Sequence, residues 1–182
     1  MDPFATLGAP RRFDLDLTVL EKTHRELSRA LHPDKFAQAG SSERRAALEK
    51  AADVNEAWRI LRDPIRRAEA LFRVEGFAVG ETNEPKASAA FLMDMMEERE
   101  ALSDARAQRD LRKVNVLAAR ISQRARQVEE KLIAGFSSDA PPKEELSKLL
   151  PALGEMRFYR RFLEEVAAIE EEAEEAAASG VP

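Results

Sequence analysis

His32, Pro33 and Asp34 stand in a row, and Lys35 follows them. These residues suit recognition better than bond-making. Proline fixes its own φ and so stiffens the loop it occupies. An aspartate held there offers a carboxylate that accepts paired hydrogen bonds from a partner's arginine. Readings of these residues as an enzyme centre are weak. His24 and His32 are the two histidines of the chain, and His24 falls on the apolar stripe of a helix, which marks a core residue rather than a general base. The sequence offers no nucleophile–base–acid triad and no glycine-rich phosphate loop, so the chain is expected not to be an enzyme and not to hydrolyse ATP itself. It contains no cysteine, which excludes disulfides, thiolate nucleophiles and cysteine ligands for zinc or iron–sulfur clusters. No catalytic residue, metal site or cofactor is expected.

The elements that position this tripeptide are legible from spacing. Asp16 is a good N-cap, and Leu20, His24, Leu27 and Leu31 recur at helical intervals after it, with Lys22, Arg25 and Arg29 on the opposite face. His32-Pro33 breaks this helix, because the residue before a proline disfavours the helical conformation. A loop runs through Gly40 to Ser42. Ala47, Ala51, Val54, Trp58 and Leu61 then form one stripe, which predicts a second long helix ending near Asp63-Pro64. Two long helices around a loop make an antiparallel hairpin. Asp63 as cap and Pro64 at the first helical position open a short helix with Ile65, Ala68, Leu71 and Phe72 inward and Gly76 beyond its end.

A glycine- and proline-bearing stretch, GFAVGETNEPKAS, separates this unit from the carboxy-terminal half of the chain. Three further helical patterns lie in that half, at about 89–104, 105–134 and 143–172, the second with Val114, Leu117, Ile121, Val128 and Leu132 inward. They can close a three-helix bundle. Pro151 should kink the last pattern or divide it in two. The expected organisation is 1–75, a linker 76–88, a second domain 89–172 and a frayed acidic tail 173–182.

On the helix beginning at Ala89, Phe91, Met95, Glu98 and Leu102 share one face, while Met93, Met96 and Glu100 lie opposite with Leu92 beside them. Glu98 stands on the inward stripe where an apolar residue would be expected. In the last helix Met156, Leu163 and Ala167 define an inward stripe, from which Phe158 and Phe162 project. An exposed apolar patch rimmed by carboxylates is a normal protein-binding surface, and methionine adapts to a partner's shape. A stripe buried all round is the plainer alternative.

Of 182 residues, 44% are hydrophobic and 35% charged, a balance that suits a folded helical protein. The 29 basic and 34 acidic residues are interspersed and the net charge is −5, so no overall field favours nucleic acid or a membrane surface. The arginines between Arg106 and Arg126 alternate with a buried stripe and lack aromatic neighbours for base stacking, which marks a solvated helix face. Met1-Asp2-Pro3-Phe4 has no signal-peptide character and no stretch reaches membrane-spanning length, so a cytoplasmic location is expected.

His32-Pro33-Asp34 between a basic-faced helix and a second antiparallel helix resembles a J-domain, the module that triggers hydrolysis in a heat-shock ATPase. Matched residue by residue, the resemblance implies an ATPase-binding surface of Lys22, Arg25, Arg29, His32, Pro33, Asp34 and Lys35. Leu31 stands where many J-domains have tyrosine. Asn55-Glu56-Ala57-Trp58, Leu61-Arg62-Asp63-Pro64, Arg67-Ala68-Glu69 and Gly76-Phe77 narrow the likeness to the HscB family of iron–sulfur co-chaperones. Phe91-Leu92-Met93, Glu97, Arg99-Glu100, Leu102 and Arg157-Phe158 extend it over nearly the whole chain.

That resemblance implies an all-α fold, an amino-terminal J-domain hairpin with short flanking helices and a carboxy-terminal three-helix bundle. It implies an HscA-like chaperone ATPase and an IscU-like scaffold as partners, with Leu92, Met93, Met96, Glu97, Glu100, Asp104 and Phe158 as the scaffold contacts. The cysteine-bearing metal module of some eukaryotic relatives is lacking, which favours a metal-free bacterial form. A J-protein of a general heat-shock chaperone with a different client is the nearest alternative. A purely structural helical protein, with the tripeptide incidental, is the remaining one.

Overall fold

Short-range capping sets most of the helix starts in the computed structural model, which describes residues 1–80, 87–138 and 141–178. In chain order the helices are α1 (Pro3–Leu7), α2 (Leu17–Ala30), α3 (Ser41–Arg62), α4 (Pro64–Val74), α5 (Ala89–Ala107), α6 (Leu111–Gly135), α7 (Lys143–Leu149) and α8 (Pro151–Ala178), with a 3-10 turn at Pro33–Phe36. Among the described residues no strand forms, and the fold is all-α. The Asp16 side chain accepts the amide protons of Thr18 and Val19, and Asp63 accepts those of Ile65 and Arg66. Each cap satisfies donors that have no intrahelical acceptor.

The chain divides into two compact units, one of residues 1–83 with 133–146, the other of 84–132 with 147–182. The first centres on Phe4, Leu7, Phe13, Leu20, Val54, Leu61, Leu71 and Phe72, all buried. α1 was not foreseen. Asp2 caps it and Pro3 starts it, so Phe4 and Leu7 enter the core below the hairpin. Arg67 is unexpectedly buried too: it donates to the Leu61 carbonyl at 2.9 Å, and its guanidinium carbon lies 4.8 Å from the centre of the Phe13 ring. Gly76 closes α4 with φ +85°, a left-handed backbone that side chains disfavour.

Residues 133–146 depart from the expected division, which gave all of 89–172 to the second domain. Phe136 meets Phe72 edge-to-face at 5.1 Å and Leu146 is fully buried, so this stretch supplies core to the first unit. Of the expected linker 76–88, residues 81–86 lie outside the described residues.

In the second unit α5, the first part of α6 and α8 form the three-helix bundle. Met95, Leu102 and Ala105 of α5 and Val114, Leu117, Ile121, Val128 and Leu132 of α6 are buried. Pro151 divides the last pattern and takes the first position of α8, where its missing N–H costs nothing. The buried stripe of α8 is Met156, Tyr159, Phe162, Val166 and Ile169. This corrects the expected stripe: Phe162 is only 2% exposed, Leu163 is half-buried and Ala167 exposed. The steps of three and four residues between the two aromatic rings and the branched side chains define one face, and that face carries most of the apolar area available for burial. Where a frayed tail was expected from 173, α8 stays helical to Ala178, and Arg106 grips Glu172 near that end at 2.7 Å. Residues 179–182 lie outside the described residues.

Candidate functional site

The first candidate surface is built by the end of α2. Its helix is held to α3 through His24, which stacks on Trp58 with ring centres 5.3 Å apart and places Nε2 2.9 Å from Asn55 Oδ1. Ser28 Oγ lies 3.3 Å from the same nitrogen. A catalytic relay engages both ring nitrogens, one for the nucleophile and one for an orienting carboxylate; here both contacts fall on one. His24 is thus half-buried at a helix junction rather than deep in the core.

Lys22, Arg25 and Arg29 are exposed, with Arg25 paired to Glu21 at 2.5 Å. Leu31 ends α2 by donating its N–H to the Leu27 carbonyl, and His32 turns extended at ψ 134°. Pro33 then opens the 3-10 turn. The His32 Nδ1 accepts the Asp34 N–H at 3.3 Å, and Lys35 N–H donates to the His32 carbonyl at 3.0 Å. The Asp34 carboxylate, 91% exposed, stands 3.5 Å from Nδ1. The loop's backbone is therefore fixed while Asp34 and Lys35 point into solvent, as hydrogen bonding to a partner requires.

The second candidate surface lies on α5, started by Ser88, whose hydroxyl accepts the Phe91 N–H at 3.1 Å. Leu92, Met93 and Met96 are 42, 66 and 69% exposed, and Glu97, Glu100 and Asp104 are exposed along the same helix. Phe91 is half-buried, set edge-to-face against Phe158 at 5.7 Å and Tyr159 at 5.8 Å. Phe158 is half-buried as well, and the Arg161 guanidinium lies 5.3 Å from its ring centre. A groove lined by Met93, Met96, Glu97, Arg99 and Glu100 shares Arg99 with a second, lined by Phe158, Arg161, Phe162 and Glu165. Arg99 thereby joins the methionine stripe of α5 to Phe158 of α8.

Charge continues beneath this face. Glu98 is buried on the inner side of α5, ion-paired with Arg120 and 3.4 Å from Arg124, and Arg124 also binds Asp94. Burial works against the charge on Arg124, but Asp94 and Glu98 outweigh it and raise its pKa. Burial, with Glu155 nearby, pushes the Tyr159 phenol up to about 12. The sequence showed Glu98 as an anomaly without its partners, which lie on another helix. Among the described residues no group of three or more metal-ligating side chains comes together, and no helix is long and apolar enough to cross a membrane.

Comparison with known proteins agrees with this layout. The sequence model of the HSCB C-terminal oligomerisation domain matches residues 87–167. The chain is 35% identical over 165 residues to the "Co-chaperone protein HscB homolog" of Burkholderia cenocepacia, covering 91% of each. It is 40% identical over 126 residues to that of Cupriavidus taiwanensis, covering 69% of this chain and 72% of the other. Chaperone HscB from Vibrio cholerae superposes with a TM-score of 0.79 at 28% identity, over 94% of this chain and 99% of that one. Human co-chaperone HscB, at 20% identity, shares the fold with the same TM-score over 93% and 82%. A J-domain hairpin joined to a helical bundle defines the class, a J-domain co-chaperone. Within that class the chain belongs to the HscB family, whose work is iron–sulfur cluster assembly.

Proposed function

We propose that this chain stimulates the ATPase of a specialised, HscA-like heat-shock chaperone and delivers to it an IscU-like scaffold protein for cluster maturation and transfer, in the cytoplasm. Lys22, Arg25, Arg29 and the loop His32 to Lys35 engage the ATPase; Leu92, Met93, Met96, Glu97, Glu100, Asp104 and Phe158 engage the scaffold. One observation carries the reading: a rigidly based, solvent-facing carboxylate and an exposed leucine–methionine stripe lie in separate units, so that activation and client binding use different surfaces. Membership of the HscB family supports both assignments.

The cations of α2 steer an acidic ATPase surface, and the carboxylates of α5 favour a client with basic residues beside an apolar segment. The test is a pair of variants. Asp34→Asn is expected to abolish ATPase stimulation and leave scaffold affinity unchanged. Leu92→Ala combined with Phe158→Ala is expected to do the reverse, raising the scaffold Kd about tenfold or more as buried anchor contacts are lost. Equal damage to both activities by each folded variant would contradict the division of labour.

A further inference from the structure

The exposed stripe of α5 has a different charge on each of its edges. Arg99 marks the edge next to α8, where it pairs with Glu165 at 3.5 Å, and Arg106, two turns later, repeats the contact with Glu172. The other edge is acidic. Asp94 turns toward α6 to bind Arg124, and Glu97, one turn on, and Asp104, two turns beyond that, run along the same side. Met93 and Met96 stand in solvent between the two edges, with Glu100 beside them.

α8 extends the cationic edge. Phe158, Arg161, Phe162 and Glu165 are spaced by three and four residues, so they share one side of that helix, and with Arg99 they line one groove. Glu165 already neutralises Arg99. Arg161 is exposed and, among the described residues, has no carboxylate within ion-pair distance. Its guanidinium lies 5.3 Å from the centre of the Phe158 ring, close enough for the face of the ring to attract the cation. Phe158 is itself set edge-to-face against Phe91. The guanidinium is thus anchored beside the apolar patch with no counter-charge, and its planar fork suits a carboxylate. A partner segment lying over the ring would shield that contact from water and strengthen it.

We propose that Arg161 is a specificity-determining contact of the client surface, taking a carboxylate that the scaffold carries next to the apolar segment covering Met93, Met96 and Phe158. The proposal rests on the client-binding reading of that face. Its consequence is orientation. The segment is accepted with its acidic group over Arg161 and its basic group over Glu97, Glu100 and Asp104, whereas the reversed segment sets like charges together at both edges.

The test uses the full chain and purified IscU-type scaffold, with Kd measured by calorimetry. Arg161→Gln is expected to raise Kd roughly fivefold, the upper range for an exposed pair, and Arg161→Glu to raise it further. Helix content should not change in either, because the side chain is exposed. Each aspartate and glutamate of the scaffold is then changed to lysine in turn. One such change is expected to weaken binding to the wild-type chain and to strengthen binding to Arg161→Glu, a reversal that mere packing of Arg161 on Phe158 does not produce. A Kd for Arg161→Glu within about twofold of wild type, or the absence of any restoring change in the scaffold, overturns the proposal. If Arg161→Glu loses helix, the cycle is run with Arg161→Gln against scaffold variants whose carboxylates are replaced by amides, and coupling below about twofold at every position overturns it. A wild-type chain that does not bind scaffold overturns the client reading and this proposal with it, whereas binding that ignores Arg161 overturns the proposal alone.

Discussion

At the residue scale, side chains that act over one turn behave as their types dictate. Asp63 follows α3 in an extended conformation and caps α4 with its carboxylate, so Asp63→Ala should cost about 1 kcal/mol, read from denaturant unfolding. Tyr159 makes a prediction in pH. Its folded pKa of about 12 exceeds the ordinary 10.0, chiefly through burial and then through Glu155, so the folded chain holds the phenolic proton more tightly than the unfolded chain does. The resulting stabilisation is complete below the unfolded value and is lost as pH rises through about 12. Thermal midpoints measured over that range should fall with pH, and Tyr159→Phe should flatten the fall. The caps at Asp16 and Asp63 were legible in the sequence because donor and acceptor are two or three residues apart. The partners of Glu98 were not, since they lie on the following helix, and nothing in the sequence marked Arg67 for burial against Phe13.

At the element scale, periodicity located the α2–α3 hairpin, α4, the inward stripe of α6 and the outward stripe of α5. It failed where several apolar residues crowd one helix. On α8, Met156, Phe158, Tyr159, Phe162 and Leu163 leave more than one stripe open, and only packing against α5 and α6 selects the face bearing Tyr159 and Phe162. α1 was within reach, since Asp2-Pro3 is a start signal, but its helix is short and its apolar residues few. The stretch 133–146 has no local feature that assigns it to the first unit; the assignment comes from Phe136 meeting Phe72. Phe136→Ala should therefore remove core from the first unit at a cost of about 3–5 kcal/mol. Hydrogen exchange should show accelerated opening of α4 in that variant, with little change in α5.

At the scale of the whole molecule, the two compact units carry two surfaces of different chemistry. One presents cations and a solvent-facing carboxylate, the other an apolar stripe rimmed by carboxylates. Each suits a protein partner. Function on this account is coupling: a client held on the second unit is brought to an ATPase engaged by the first. The J-domain was legible because its tripeptide and flanking helices are contiguous in the chain. The exposed face of α5 was legible only in outline, because the groove at Arg99 joins helices far apart in sequence. The most direct test is ATP hydrolysis by the cognate chaperone, with this protein and the scaffold added separately and together. The account predicts that the pair stimulates well above the sum of the separate effects; stimulation by this protein alone, indifferent to scaffold, would contradict it.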